Sequence, residues 1–97
     1  MKVEFSPLSR ADFVEIYHWI SADRPDAADR MVIKLQARAR HLGRYPYFGS
    51  AAPDCGANVR VTTIPPYVIY YQVTDHIRIL RVLHGARDHG PLVEEVE

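Results

Sequence analysis

The sequence predicts an α+β fold: an N-terminal strand, then an antiparallel helical hairpin packed on a three- to four-stranded, largely antiparallel sheet. Apolar residues recur at helical spacing twice in the first half of the chain, with one short break at Pro25. Three strand-like runs then follow one another with short connections, which makes them an antiparallel meander. The helices must bury their apolar stripes against one face of that sheet. The other face is left more open and curved by sheet twist.

Lys2 to Ser6 reads as a short strand with Val3 and Phe5 on one face, ended by Pro7. Ser9-Arg10-Ala11-Asp12 places a carboxylate three residues after a hydroxyl, a capping-box-like start for a helix over about Arg10 to Ala22. Phe13, Ile16, Tyr17 and Ile20 supply its apolar spacing. Pro25 suits the first turn of a second helix, and Asp26 and Asp29 sit near its positive end. Ala28, Met31, Val32, Leu35, Ala39 and Leu42 form its stripe, and Gly43 or Tyr45-Pro46 stops it. Residues 46 to 57 read as loop. Val59 to Ile64, Tyr67 to Val73 and Ile77 to His84 read as strands, broken at Pro65-Pro66 and at Thr74-Asp75-His76. Arg87 to Glu97 reads as an exposed, acidic tail.

At 97 residues the chain has room for one domain, residues 1–97. Its 47% hydrophobic content supports a core without staples. The 12 Lys+Arg balance the 12 Asp+Glu, but Glu94, Glu95 and Glu97 crowd the end, so the body is mildly basic. A neutral chain is a poor candidate for a protein whose sole high-affinity partner is nucleic acid. Cys55 is the single cysteine, which excludes an internal disulfide and a multi-cysteine zinc site. With no signal-like or membrane-length apolar run, the expectation is a cytoplasmic protein without membrane contact. His18, His41, His76, His84 and His89 lack ligand spacing, so no metal and no cofactor are expected. Cys55, in a Pro/Gly loop, is read as an incidental thiol.

The element order together with particular residues resembles the ParE/RelE toxin superfamily. The residues are Ala11-Asp12-Phe13, Ile16 and Tyr17-x-Trp19-Ile20, then Pro25-x-Ala27-Ala28-x-Arg30, Leu42, Pro46, Gly49 and Arg60. Tyr67-x-Ile69-x-Tyr71, Ile77-x-Ile79-Leu80-Arg81-Val82-x-His84 and Gly85-Ala86-Arg87-Asp88 complete the pattern, whose ending looks like the ParE branch. The resemblance implies a toxin of a type II toxin–antitoxin system, associated with plasmid stabilisation, whose partner is a cognate ParD-like antitoxin. It implies DNA gyrase as the target in the ParE branch and ribosome-bound messenger RNA, cleaved by the toxin, in the RelE branch. A third alternative is a non-toxic member that retains antitoxin binding.

RelE-type cleavage uses Lys, Arg and a Tyr or His to move protons and stabilise the phosphate. Here residues 53 to 59 hold no lysine, and no tyrosine follows Arg87. The expectation is therefore a gyrase-binding toxin and not an enzyme. The residues left for ribonuclease chemistry are Arg60, His84, Arg87 and His89. Arg60, Arg81 and Arg87 are the target-binding candidates. Arg60 is weighed against a structural ion pair with Asp88 or Glu4. Arg81, which interrupts an apolar strand, reads first as structural or antitoxin-facing. Arg30, Lys34, Arg38 and His41 form a cationic stripe on the second helix, either a solvated face or a dock for an acidic antitoxin segment. Tyr17 and Trp19 exceed what one hairpin core needs and join Arg30, Lys34 and Arg38 as antitoxin-binding candidates. Tyr67, Tyr70 and Tyr71 read as core.

Overall fold

A computed structural model describes residues 1–85 of the chain. The elements are β1 (Val3–Phe5), α1 (Pro7–Ser21), α2 (Pro25–Arg44), β2 (Ser50–Ala51), a 3₁₀ turn (Pro53–Cys55), β3 (Val59–Ile64), β4 (Tyr67–Val73) and β5 (Ile77–His84). The sheet has five strands in the order β1-β5-β4-β3-β2. Three junctions are antiparallel, and β1 runs parallel to β5. The sheet is thus one strand larger than the sequence predicts. The additional strand, Ser50–Ala51, is two small exposed residues with no alternation to betray them.

Helix α1 begins three residues before the sequence-predicted start. Ser6, not Ser9, is the N-cap: its Oγ accepts from Ser9 N at 3.0 Å, and Pro7 occupies the first turn. The Ser6 hydroxyl also donates to Leu80 O at 2.8 Å, tying the helix start to β5. Asp12 is therefore free of capping and is buried within the helix.

Helix α2 runs through Gly43 and ends at Arg44. Gly43 is there for close approach. A Cβ at this position would lie 2.8 Å from Met1 O and 3.0 Å from Val3 Cγ2. The amino terminus donates to Gly43 O at 2.6 Å.

The main core lies between hairpin and sheet. Ile16, Leu35, Ala39 and Leu42 meet Tyr67, Ile69, Tyr71, Val73, Ile77, Ile79 and Val82. The far face is less open than the sequence predicts, because Val59, Tyr70, Leu80 and Leu83 are buried there, with Ala52 and Cys55 packed against them. A bulge in β5 makes this possible. Tyr70 pairs with Arg81 and Tyr71 with Ile79, so Leu80 is the extra residue. Strict alternation would put Ile77, Ile79, Arg81 and Leu83 on one face. Leu80 keeps the far face that alternation gives it, while the bulge brings Leu83 to the same face and turns Val82 to the helix side.

Candidate functional site

Three places gather the residues that carry chemistry. The first is the junction of α1 and β5. Asp12 accepts from Arg81 Nε at 2.8 Å and from Arg81 Nη2 at 3.0 Å, a two-pronged ion pair. The same carboxylate accepts from Val82 N at 2.9 Å. Side-chain exposure is 14% for Arg81 and 9% for Asp12, so the pair is shielded from water. Arg81, a target-binding candidate in the sequence, is thus engaged in closing the upper half of β5 against the first helix. Its partner Asp12, a capping residue by sequence spacing, is instead the ion-pair acceptor, and the sequence signal for that role is an arginine inside an apolar strand in want of a carboxylate.

The second place is the loop from α2 to β2. Arg60 on β3 donates from Nε to Gly49 O at 3.0 Å, and from Nη2 to Gly49 O and to Tyr47 O. Its guanidinium lies 5.2 Å from the Tyr47 ring centre. Tyr71, fully buried in the core, donates its hydroxyl to Pro46 O at 2.8 Å and accepts from Gly49 N at 2.9 Å. Gly49 admits no side chain, since a Cβ would stand 2.5 Å from Val61 O and 2.8 Å from the Tyr71 hydroxyl. Arg60 therefore uses carbonyls as partners. Glu4, one of its two expected partners, pairs instead with Arg78 at 2.8 Å. Asp88, the other, lies outside the described residues.

Arg38 performs a similar task on α2. It donates from Nη1 to Thr62 Oγ1 and to Thr63 O, and its guanidinium lies 4.9 Å from the Phe48 ring centre. His41 packs between Tyr45 and Phe48, with ring centres 4.8 and 4.9 Å away. Arg30 and Lys34 are exposed on the same helix. The loop thus presents Tyr45, Tyr47 and Phe48, each more than half exposed, on a scaffold of three cationic or imidazole side chains. A Pro/Gly-rich loop carries no periodicity, so nothing in the sequence marks these aromatics as a group.

The third place is the rim around Trp19, which is 77% exposed. A groove of about 550 Å³ runs between α1 and the β4–β5 end, lined by Glu15, Ile16, Trp19, Tyr67, Leu83 and His84, among others. A second groove continues past Trp19 to Arg24, Met31 and Pro66. Tyr17 is two residues away on the helix and so faces elsewhere, against the His18 ring. His84 is exposed at the end of β5, with its ring 5.7 Å from Tyr67. Arg87 and His89 lie outside the described residues.

Burial pushes the pKa of the Tyr67 and Tyr70 hydroxyls above the ordinary phenol value, with Cys55 adding to the effect at Tyr70. Burial, and secondarily the Asp54 charge, pushes the Cys55 thiol up, away from the reactive thiolate. Among the described residues no three His, Cys, Asp or Glu side chains are grouped to hold a metal ion. No described helix is long and apolar enough to cross a membrane.

Known proteins share this pattern. Residues 3–89 match the family model described as ParE toxin of type II toxin–antitoxin system, parDE. Toxin RelE2 of Caulobacter vibrioides is 39% identical over an alignment that covers 79% of this chain and 86% of the relative. Putative toxin Y4kP of Sinorhizobium fredii is 33% identical, covering 73% and 74%. A solved structure titled chromosomal ParDE TA system from P. aeruginosa superposes with a TM-score of 0.75 at 23% identity, covering 87% of this chain and 95% of that one, and so shares the fold. The chain belongs to the ParE toxin family of type II toxin–antitoxin systems.

Proposed function

We propose that the chain inhibits growth by binding DNA gyrase and blocking its cycle, and that a ParD-like antitoxin neutralises it. The observation that carries this reading is the use made of two arginines. A metal-free ribonuclease needs cations aimed at a phosphate. Arg60 and Arg81 are instead turned inward, to backbone carbonyls and to Asp12. The lysine-free stretch before Arg60 points the same way. In this reading Arg87 is the principal target contact, while Arg60 and Arg81 hold the surface that presents it. Trp19, Tyr17, Arg30, Lys34 and Arg38 belong to the antitoxin surface, where an exposed Trp of this size is a natural anchor. Gyrase supercoiling assayed with purified toxin tests the proposal. Inhibition by the wild type, lost in Arg87→Ala and relieved by the antitoxin, is expected. Undisturbed supercoiling at high toxin excess would refute it. Trp19→Ala with unchanged antitoxin affinity would remove Trp19 from that surface.

A second reading, ribosome-dependent messenger RNA cleavage, draws on the exposed imidazole of His84 in a groove that Glu15 also lines, and on likeness to a relative named RelE2. It would use Arg60, His84, Arg87 and His89. Transcripts cut during translation, and spared in both Arg60→Ala and His84→Ala, would establish it. Normal growth on unopposed expression of folded protein would indicate a non-toxic member that keeps antitoxin binding alone.

A further inference from the structure

Helix α2 has an outward side that neither the core nor the following loop uses. Asp29, Ile33, Gln36 and Arg40 follow one another at four- and three-residue steps, the spacing by which two helices pack side by side. Asp26 continues the row a turn earlier. All five side chains are exposed, Ile33 by 61%. Arg38 lies about half a turn around the helix from Asp29, so the row faces away from the Arg38 side.

The row has an acidic end, an apolar middle and a basic end. Glu4 and Asp12 are matched to Arg78 and Arg81 within the domain. Asp29 and Arg40, in contrast, make no side-chain hydrogen bond or ion pair among the described residues. The helix dipole favours acids in the first turn and bases in the last, and fades beyond them. Asp29 and Arg40 lie past those turns of a helix that runs from Pro25 to Arg44, so the dipole does not account for them.

Such a row is complementary to itself in one orientation only. Parallel pairing would set Asp29 on Asp29 and Arg40 on Arg40. Antiparallel pairing, about a two-fold axis between residues 34 and 35, opposes Asp29 to Arg40 of a second copy, twice, and Ile33 to Gln36. Residues 26 to 40 span about 21 Å, so the pair buries less than a standard interface of about 1,600 Å² and fits a weak, concentration-dependent dimer.

We propose that the outward row of α2 is a self-association surface on which a second copy of this chain packs antiparallel. The row includes none of Trp19, Lys34 and Arg38, so pairing does not draw on the surface read above as antitoxin-binding, and the inference stands apart from that reading.

The test is sedimentation equilibrium of the full-length, antitoxin-free chain over roughly a hundredfold range of concentration. The wild type should pass from monomer to dimer. Asp29→Arg and Arg40→Glu each set like charges at both contacts and should each weaken dimerisation about tenfold. Mixing these two single variants should restore it, because each then offers the other the opposite sign at both contacts; Asp29→Arg/Arg40→Glu should restore it within one chain. Ile33→Glu places a carboxylate near the axis in both copies and should abolish it. Thermal melting at a concentration where every variant is monomeric separates these effects from unfolding. A wild type that stays monomeric across the range overturns the inference. A dimer indifferent to Ile33→Glu, or single reversals that mixing does not rescue, overturns it as well.

Discussion

Replacing Asp12 by alanine removes the carboxylate that accepts from Arg81 Nε, Arg81 Nη2 and Val82 N. Both partners of the ion pair are shielded, at 14% and 9% exposure, so water does little to compensate. Breaking a buried pair from one side costs about 3–5 kcal/mol, and the stranded Val82 amide belongs to the same loss. A domain of this size is stable by roughly 5–15 kcal/mol, and each kcal/mol moves its melting temperature by about 4–8 °C. Asp12→Ala should therefore lower the midpoint by roughly 12–40 °C. Asp12→Asn keeps one acceptor oxygen and should cost about half as much. The assay is thermal and urea unfolding followed by circular dichroism, completed as a cycle with Arg81→Met. If the pair is coupled as the geometry says, Asp12→Ala/Arg81→Met is less destabilised than the sum of the single changes by about 2 kcal/mol. High salt should barely alter that difference, because a shielded pair is little screened. A cost below about 1 kcal/mol for Asp12→Ala, or strict additivity in the cycle, would refute the reasoning.

Other consequences follow from the loop and the far face. Arg60→Ala loses a charge-assisted clamp on the Gly49 and Tyr47 carbonyls and should cost about 1–2 kcal/mol after allowance for partial exposure; Arg60→Lys should recover little of it, since an ammonium cannot reproduce the fork, and denaturant titration of both variants checks this. Gly49→Ala forces a methyl to 2.5 Å from Val61 O, a backbone atom that cannot swing away, and should cost at least about 2 kcal/mol by the same measurement. Cys55, its thiol pushed up by burial, should react with iodoacetamide at pH 8 more slowly than a free cysteine, and should gain reactivity as the pH rises further; mass spectrometry of the alkylated fraction over time reports it.

The parts of the fold that were legible in the sequence are those written in repeated apolar spacing. The α2 stripe reappears as buried Ala28, Leu35, Ala39 and Leu42, and the three long strands keep their predicted limits. What was hidden has local or long-range causes. Ser6 is a better cap than Ser9 because Pro7 follows it and because Leu80 O, 74 residues away, anchors its hydroxyl. Ser50–Ala51 pairs through backbone groups alone, which composition does not reveal. The parallel pairing of β1 with β5 depends on where the hairpin returns the chain, a tertiary matter. The bulge at Leu80 has no residue signature, yet it decides which face every later side chain of β5 takes.

The arginines show why site residues resist reading from type alone. A guanidinium that recognises phosphate and one that clamps a loop are the same group with different neighbours. Arg38, Arg60, Arg78 and Arg81 each have partners within the domain: the Thr62 hydroxyl and Thr63 carbonyl, loop carbonyls, Glu4 and Asp12. Loss of toxicity on removing any of these four is thus expected whether or not the residue meets the target, because the surface it holds would shift. Arg60→Ala is the sharpest case. Its guanidinium sets the position of Tyr47, so a functional defect there carries meaning only beside an unfolding curve and a structure-sensitive readout of the loop. Lys34 and Arg44, exposed on α2, carry the opposite expectation: their replacement should leave the melting curve nearly in place, so a change in partner affinity can be credited to the contact itself.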